Sequence, residues 1–471
     1  MNMVNLENIS KIYFVGIKGI AMTSLAIYAK GKGYSVSGSD LPEEFPSDYE
    51  LNSHHIGIRD GFKSENIESE KPDLVVYTGA HQGEANIEVK TAINLNIPVL
   101  AHGKALGLFM RDYHQVSVAG CHGKTTTSSM ISFSMMKSGF DPSYAIGVGS
   151  INGLGSAGHA GSDGWFIAEA DEYATDPGHD LTPRFLWQRP EILVITNIDF
   201  DHPDVYKNLA SVQNAYLNLT HLVKQKGMII INGDDMNSRC INGTGAKLVR
   251  IGMSADNDYR ILEFVSGNGM SEFCVRSHEG ENIRFKLGVP GIHNAINAVM
   301  AAVVLKRMGL NWDQITASLA GFQGSKRRFE KIAEKKNIIF YDDYAHHPAE
   351  IETTLAGLRL WYPGRRIVSV FQPHTYSRTK ALLAEFSRSF GSADIAIFSE
   401  IYASARENPE PDFSGRNLSE LVKKYLKQVY FVSSPGDIET ELKHILQPGD
   451  VVIFLGAGNI FNWGRKIAEN Y

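Results

Sequence analysis

Short apolar runs alternate with glycine-bearing turns and helix-compatible stretches along this chain. Lys11–Val15 (KIYFV) is one such run and ends at Gly16. Residues 21–30 then read as a helix, stopped by Gly31 and Gly33 before a second extended stretch at 34–37. Leu74–Tyr77 and residues 116–119, 164–168, 192–196 and 228–231 continue the series, and 295–308 reads as an apolar helix. Further on, residues 338–341, Ile367–Phe371, Ile395–Phe398 and Val451–Leu455 supply strands of another unit. Strand–turn–helix alternation of this kind predicts an α/β fold with parallel sheets covered by helices. Breaks in the pattern near 112–115 and 323–325 divide the chain into 1–113, 114–323 and 324–471. A length of 471 residues agrees with three domains at roughly 150 residues each.

Composition narrows the class. The 46 Lys and Arg against 52 Asp and Glu leave a net charge of −6, so there is no basic excess to neutralise nucleic-acid phosphates. With 43% hydrophobic and 21% charged residues the chain is ordinary globular material. Cys121, Cys240 and Cys274 are too few and too scattered for a disulfide framework or a cysteine zinc site. No signal-peptide pattern precedes Lys11, and no apolar run reaches the roughly 18 residues of a membrane span. The expected compartment is the cytoplasm, with no membrane partner.

Chemistry concentrates first at Gly120-Cys121-His122-Gly123-Lys124-Thr125-Thr126-Thr127, which follows one expected strand and opens a helix. Glycines let backbone N–H groups turn toward a phosphate chain, and the helix N-terminus adds positive potential. Lys124 suits β/γ-phosphates and the Thr125 hydroxyl suits Mg²⁺. The spacing is GxxGKT, with Val118 at the place of the outer glycine in GxxxxGK[ST], so this is a variant phosphate loop. Cys121 reads either as a thiol of lowered pKa in an amide-rich turn or as a packing residue. Two acidic clusters follow: Glu169-Ala170-Asp171-Glu172, and Asp199, Asp201, His202 and Asp204 within Thr196–Asp204. At the C-terminal ends of parallel strands, both would flank the phosphate loop and offer metal ligands.

Gly16-Ile17-Lys18-Gly19 also follows a strand and opens a helix, with Asp40 near the end of the next strand. This is dinucleotide geometry in outline, although Lys18 occupies the place of the second glycine of GxGxxG. An NAD-dependent oxidoreductase is therefore one alternative. His102 and Lys104 stand close to the first boundary as further candidates.

GCHGKTTT, EADE and TNIDFDHPD, in this order, resemble the Mur ligase family, the ATP-dependent ligases that build the peptide of bacterial peptidoglycan. Gly291-Ile292-His293-Asn294-Ala295-Ile296-Asn297 resembles the family's Gly-x-His-Asn-x-x-Asn segment. Residues 324–330 (GSKRRFE) resemble its hinge motif. Residues 341–348 (YDDYAHHP), 371–379 (FQPHTYSRT), 15–22 (VGIKGIAM) and Gly38-Ser39-Asp40 are similar to the family's alanine-adding member. The resemblance spans essentially the whole chain. It implies a Rossmann-like UDP-binding domain, a central P-loop ATPase-like parallel sheet and a Rossmann-like C-terminal domain that takes the amino acid.

The implied activity joins L-alanine to the lactyl carboxylate of UDP-N-acetylmuramate through an acyl phosphate, with ATP and Mg²⁺, in peptidoglycan precursor synthesis. The resemblance assigns ATP to Gly120, Cys121, His122, Gly123, Lys124, Thr125, Thr126, Asn294, Asn297, Arg328 and Asp343. It assigns the UDP-sugar to Gly16, Ile17, Lys18, Gly19 and Asp40. Metal falls to Thr125, Glu169, Glu172 and His202, and catalysis to Lys124, His202, His374 and Arg378. Glu169 is preferred to Glu172 for its place at the strand end. Two features depart from the pattern. Residues 173–180 (YATDPGHD) replace the usual Ser-Asp continuation, and Tyr173 is similar to the recycling ligase that adds a ready-made tripeptide. Thr375 stands where many alanine-adding members carry Arg. The recycling ligase is thus the second alternative.

Overall fold

A computed structural model describes residues 4–200, 205–242, 245–267, 269–403, 407, 410 and 412–471. They form two compact units. The first comprises Met1–Glu263, Cys274–Phe285 and Ile296–Phe322, and the second Phe264–Phe273, Lys286–Ala295 and Gln323–Tyr471.

The first unit opens with five parallel strands: β1 (Lys11–Val15), β2 (Ser35–Asp40), β3 (Gly57–Asp60), β4 (Leu74–Tyr77) and β5 (Val99–Ala101). Their order, β3-β2-β1-β4-β5, puts the most apolar strands, β1 and β4, in the middle. Burial on both faces suits their continuous apolar sequences. Leu25, Tyr28 and Phe109 pack one face, while Ile67, Val89 and Ala92 pack the other.

A second sheet is built on β6 (His114–Ala119), β7 (Ser143–Ile151), β8 (Gly155–His159), β9 (Trp165–Ala170), β12 (Ile192–Ile195), β13 (Met228–Asn232) and β14 (Lys247–Gly252). Between β9 and β12 the chain makes a separate antiparallel hairpin, β10 (Ala174–Asp176) and β11 (Asp180–Pro183). The second sheet continues into β15 (Tyr259–Gly267), β16 (Met270–Ser277) and β17 (Asn282–Leu287), in the order β17-β16-β15-β14-β13-β12-β6-β9-β7-β8. Its central strands β13, β12, β6, β9 and β7 are parallel, and β8 closes the edge antiparallel to β7.

The second unit carries β18 (Glu330–Lys335), β19 (Ile338–Asp343), β20 (Ile367–Phe371), β21 (Ile395–Phe398), β22 (Gln428–Phe431) and β23 (Val451–Leu455). Their order is β18-β19-β23-β20-β21-β22, parallel except for the β18–β19 hairpin. Phe371, Phe386, Phe390 and Phe398 fill one face, and Phe340, Phe454 and Ile467 the other. Among the described residues no helix is long and apolar enough to cross a membrane.

The α/β class and parallel sheets match the sequence reading. Several details differ from it. β9 runs to Ala170, so Glu169 lies within the strand rather than after it. The helix expected over 295–308 begins at Ile292 and so includes His293 and Asn294. The strands β15 to β17 were not anticipated. Their residues alternate between buried and exposed positions, the signature of a half-solvated sheet, whereas the reading sought unbroken apolar runs.

Candidate active site

Parallel strands place their C-terminal ends together, and β6, β9 and β12 end side by side in the second sheet. From β6 the loop 120–123 turns into the helix Lys124–Lys137. Gly123 is the N-cap residue with φ +84°, which favours glycine, and a Cβ there would stand 2.9 Å from Asn297 Oδ1. Asn297 therefore sits directly against the loop.

The turn after β12 braces the loop. The His122 amide donates to Asn197 Oδ1 (2.9 Å), and the Thr196 hydroxyl donates to His122 O. The Cys121 thiol donates to Asp199 O (3.2 Å), and the Asp199 amide donates back to Cys121 Sγ (3.1 Å). Of the two readings of Cys121, the geometry supports a packing and bracing residue. Asp235 and Asn237 hold the turn from behind, through the Ile198 amide (2.8 Å) and carbonyl (2.8 Å).

Lys124 is the first residue of the helix. Its ammonium donates to Gly120 O (2.6 Å) and meets Glu172 Oε2 at 2.8 Å. The Lys124 side chain is 15% exposed and that of Glu172 1%. Burial disfavours the ammonium, but Glu172 and then Asp171 outweigh it and push the Lys124 pKa up, so the lysine is charged at neutral pH. A half-buried cation fixed at the mouth of a glycine turn, beside a helix N-terminus, is suited to meet phosphate oxygens.

The expected metal ligands part company. Glu172 is committed to Lys124, and its backbone carbonyl accepts the Tyr206 hydroxyl (2.6 Å). Glu169 reaches sideways, its Oε1 accepting the Gly147 amide (2.9 Å). Thr125 is buried in the first turn of the helix, and His122 Nε2 lies 3.9 Å from Asp199 Oδ2. His202 lies outside the described residues. The oxygen donors Thr125 and Glu169 have the hardness Mg²⁺ requires, with Asp199 as a further carboxylate.

In the first sheet, the amides of Gly16 and Ile17 donate to Ser39 O (2.9 and 3.0 Å). Asp40 accepts the amides of Lys18 (2.8 Å) and Leu41 (2.8 Å), and burial raises its pKa. The Lys18 ammonium donates to Leu41 O (3.0 Å) and Glu43 O (2.8 Å) and lies 3.4 Å from Asp48 Oδ1. Lys18 and Asp40 thus shape the 16–19 loop from within. His102 Nε2 donates to Ala21 O (3.1 Å), and burial lowers its pKa to about 4, so it is neutral.

In the second unit, Asp343 ends β19 and accepts the amides of Phe329 (2.6 Å) and Ala345 (2.8 Å). This ties the 327–330 segment to the strand end. Arg328 lies 5.0 Å over the Tyr344 ring, and Arg327 lies between Tyr344 (4.9 Å) and Phe461 (4.5 Å). Arg327 Nη2 donates to Gly456 O (2.6 Å). Asn294 Nδ2 donates to Pro290 O (2.7 Å).

A second cluster gathers after β20. Arg378 Nη1 lies 3.4 Å from His374 Nδ1. The His374 ring stacks on Tyr402 (5.8 Å, 16°) and meets His346 edge-on (5.9 Å). His347 does not join His346 in one site: it caps the helix Pro348–Trp361 through Nδ1. Tyr344 and Tyr402 are functional candidates that the sequence reading left without a role. Tyr344 falls in the 341–348 stretch, but no periodicity marks an aromatic that packs on an imidazole or a guanidinium.

Family models match three consecutive parts of the chain: the Mur ligase family catalytic domain over 11–114, the Mur ligase middle domain over 118–305, and the Mur ligase glutamate ligase domain over 327–458. A UDP-N-acetylmuramate–L-alanine ligase from Desulfitobacterium hafniense is 38% identical over 457 residues, covering 97% of this chain and 99% of that protein. The chain belongs to the Mur ligase family. A relative of the same name from a Sulfurihydrogenibium species is 38% identical, covering 98% of both chains. A crystal structure of the UDP-N-acetylmuramate-alanine ligase MurC from Thermotoga maritima has a TM-score of 0.81 at 25% identity, covering 98% of this chain and 99% of that one.

Proposed function

We propose that this chain is an ATP-dependent ligase that joins L-alanine to the lactyl carboxylate of UDP-N-acetylmuramate, in peptidoglycan precursor synthesis in the cytoplasm. The observation that carries the ATP chemistry is the half-buried Lys124 ammonium at the phosphate loop, held by Glu172 and Gly120 O. The full-length likeness to alanine ligases supports the choice of substrates.

A carboxylate does not acylate an amine unaided. Its oxygen attacks the γ-phosphorus of ATP, the bond to the β-bridging oxygen breaks, and an acyl phosphate and ADP result. The amine nitrogen of alanine then adds to the acyl carbon. Collapse of the tetrahedral adduct expels phosphate as the nitrogen loses a proton. The protein's task is positioning and stabilising charge. Lys124 and the amides of 120–126 hold the β/γ-phosphates. Asn294, Asn297, Arg328 and Asp343 serve the nucleotide. Gly16–Gly19 and Asp40 shape the UDP-sugar site. His374 and Arg378 present adjacent nitrogen donors to the alanine carboxylate and the reacting centre. Thr125 and Glu169, with His202, are the residues we assign to Mg²⁺, whose charge would neutralise the phosphate oxygens; Glu172 acts through Lys124. The functional divisions we assign are 1–113 for the sugar nucleotide, 114–323 for ATP and 324–471 for the amino acid.

Tyr173 bears on the recycling alternative. It is buried beneath the Arg184 guanidinium (5.5 Å), where it packs a local turn, so the residue does not speak for a tripeptide substrate. Phosphate release from ATP with UDP-N-acetylmuramate and either L-alanine or the murein tripeptide tests the proposal. Release confined to the tripeptide would replace it with the recycling activity.

A further inference from the structure

The hairpin β10–β11 falls in the segment where the sequence departs from the family pattern, and its contacts run to the first sheet. Asp176 is buried and accepts the Glu84 amide through Oδ2 (2.8 Å). A Cβ at Gly83 would lie 2.5 Å from Asp176 Cγ, and one at Gly79 would lie 3.0 Å from Pro177 Cδ. Behind the hairpin the helical turn Arg184–Trp187 lies on the helix His102–Met110. There Gly103 and Gly107, four apart and so on one face, let the backbone approach. A Cβ at Gly107 would meet the Trp187 carbonyl carbon at 2.9 Å, and one at Gly103 would meet Arg184 Cβ at 3.1 Å. Trp187 Nε1 donates to Thr175 Oγ1 (2.8 Å), and Lys104 pairs with Asp180 (2.8 Å) while lying over the Trp187 ring (4.8 Å).

What the hairpin grips is the loop after β4. That loop walls the 16–19 turn: a Cβ at Gly16 would stand 3.3 Å from Thr78 Cβ and 3.6 Å from His81 Cδ2. His81 Nε2 lies 3.6 Å from Asp40 Oδ1. At its other end the strap begins two residues after Glu172, the partner of Lys124. We propose that residues 174–187 are a positioning strap that fixes the 78–84 loop of the sugar-nucleotide site in register with the phosphate loop, with Asp176 as its clasp. The inference rests on the ligase reading given above. Its consequence falls first on one substrate: the strap holds the wall of the UDP-sugar site.

The test is Asp176→Ala, with Asp176→Asn as the conservative partner, since an amide oxygen still accepts the Glu84 N–H. Misplacing a positioning element by about 1 Å typically costs ten- to a hundredfold. The KM for UDP-N-acetylmuramate should rise at least about tenfold in Asp176→Ala, with the KM values for ATP and L-alanine changed less than about twofold. Asp176→Asn should lie near the wild type. Hydrogen exchange of the 78–86 amides, measured on the same full-length proteins, should quicken in Asp176→Ala and not in Asp176→Asn. Unchanged exchange, or a loss spread equally over all three substrates, overturns the strap. A wild-type enzyme without ligase activity overturns the ligase reading instead, because the exchange arm needs no turnover.

Discussion

The half-buried Lys124 and the buried Glu172 form a pair whose two halves have separable consequences. In the proposed mechanism, removing the lysine strips charge from the transferring phosphate, and it leaves Glu172 buried without its cation. Loss of one electrostatic donor costs about 10²-fold or more in turnover, and breaking a buried ion pair costs about 3–5 kcal/mol. Lys124→Met should therefore lose ATP-dependent phosphate release by at least about 10²-fold and also melt earlier. Adding Glu172→Gln should recover most of the melting temperature and none of the turnover. Recovery of turnover in the double variant would show that Lys124 acts only on the fold. Asp342 offers a pH signature. Burial pushes its carboxyl up to about 7, against the pull of Arg327, whose Nε lies 3.5 Å away. The folded state then binds a proton that the unfolded state releases near 3.8, so stability falls as pH rises from about 4 to about 7 and levels off above. The slope amounts to a few kcal/mol, on the order of 1.4 per pKa unit. Denaturant melts of Asp342→Asn across that range should lack this contribution, and an unchanged slope would place the titration elsewhere.

Among the elements, the short helix Tyr376–Ala381 decides how His374 and Arg378 are presented. Its N-cap, Thr375, has φ +66°, a left-handed conformation that strains a β-branched residue, and its side chain accepts the Arg378 amide (3.4 Å). Thr375→Ala keeps the strain and loses the cap, at about 1 kcal/mol, whereas Thr375→Gly relieves the strain at a cap cost of a few tenths. Thermal melts should rank Gly above Ala. Arg378→Lys retains charge but not the planar paired donors, so the KM for L-alanine should rise strongly and that for UDP-N-acetylmuramate little. A silent Arg378→Lys would remove the arginine from the amine site. Elements of this kind mark the limit of what the sequence could tell. The strands β1, β4, β20, β21 and β23 were legible to the residue because both faces are buried and the run is unbroken. The glycine turn that opens the helix Lys124–Lys137 was legible because glycines and GKT occur in a fixed order. The Lys124–Glu172 pair was not, since 48 residues separate the partners and only the pairing of β6 with β9 brings them together. The clasp at Asp176 lay in a segment read only as a departure from pattern, because tertiary approach at Gly83 and Gly107 leaves no periodic trace.

At the scale of the whole molecule, the second unit owns a complete sheet and both of its apolar faces. Strands β18 to β23 and the clusters around Phe371 and Phe340 are drawn wholly from residues after 323. A domain with its own core folds alone, so a 323–471 fragment should melt cooperatively by circular dichroism. A broad, non-cooperative transition would show that 264–273 and 286–295, which belong to the same unit, are required. The measurement that bears most directly on the central claim is phosphate release from ATP by the full chain, with the products weighed by mass spectrometry. Phosphate should appear only when ATP, UDP-N-acetylmuramate and L-alanine are all present, together with a sugar nucleotide heavier by one alanine residue. Release that ignores L-alanine, or an unchanged sugar nucleotide, would contradict the account.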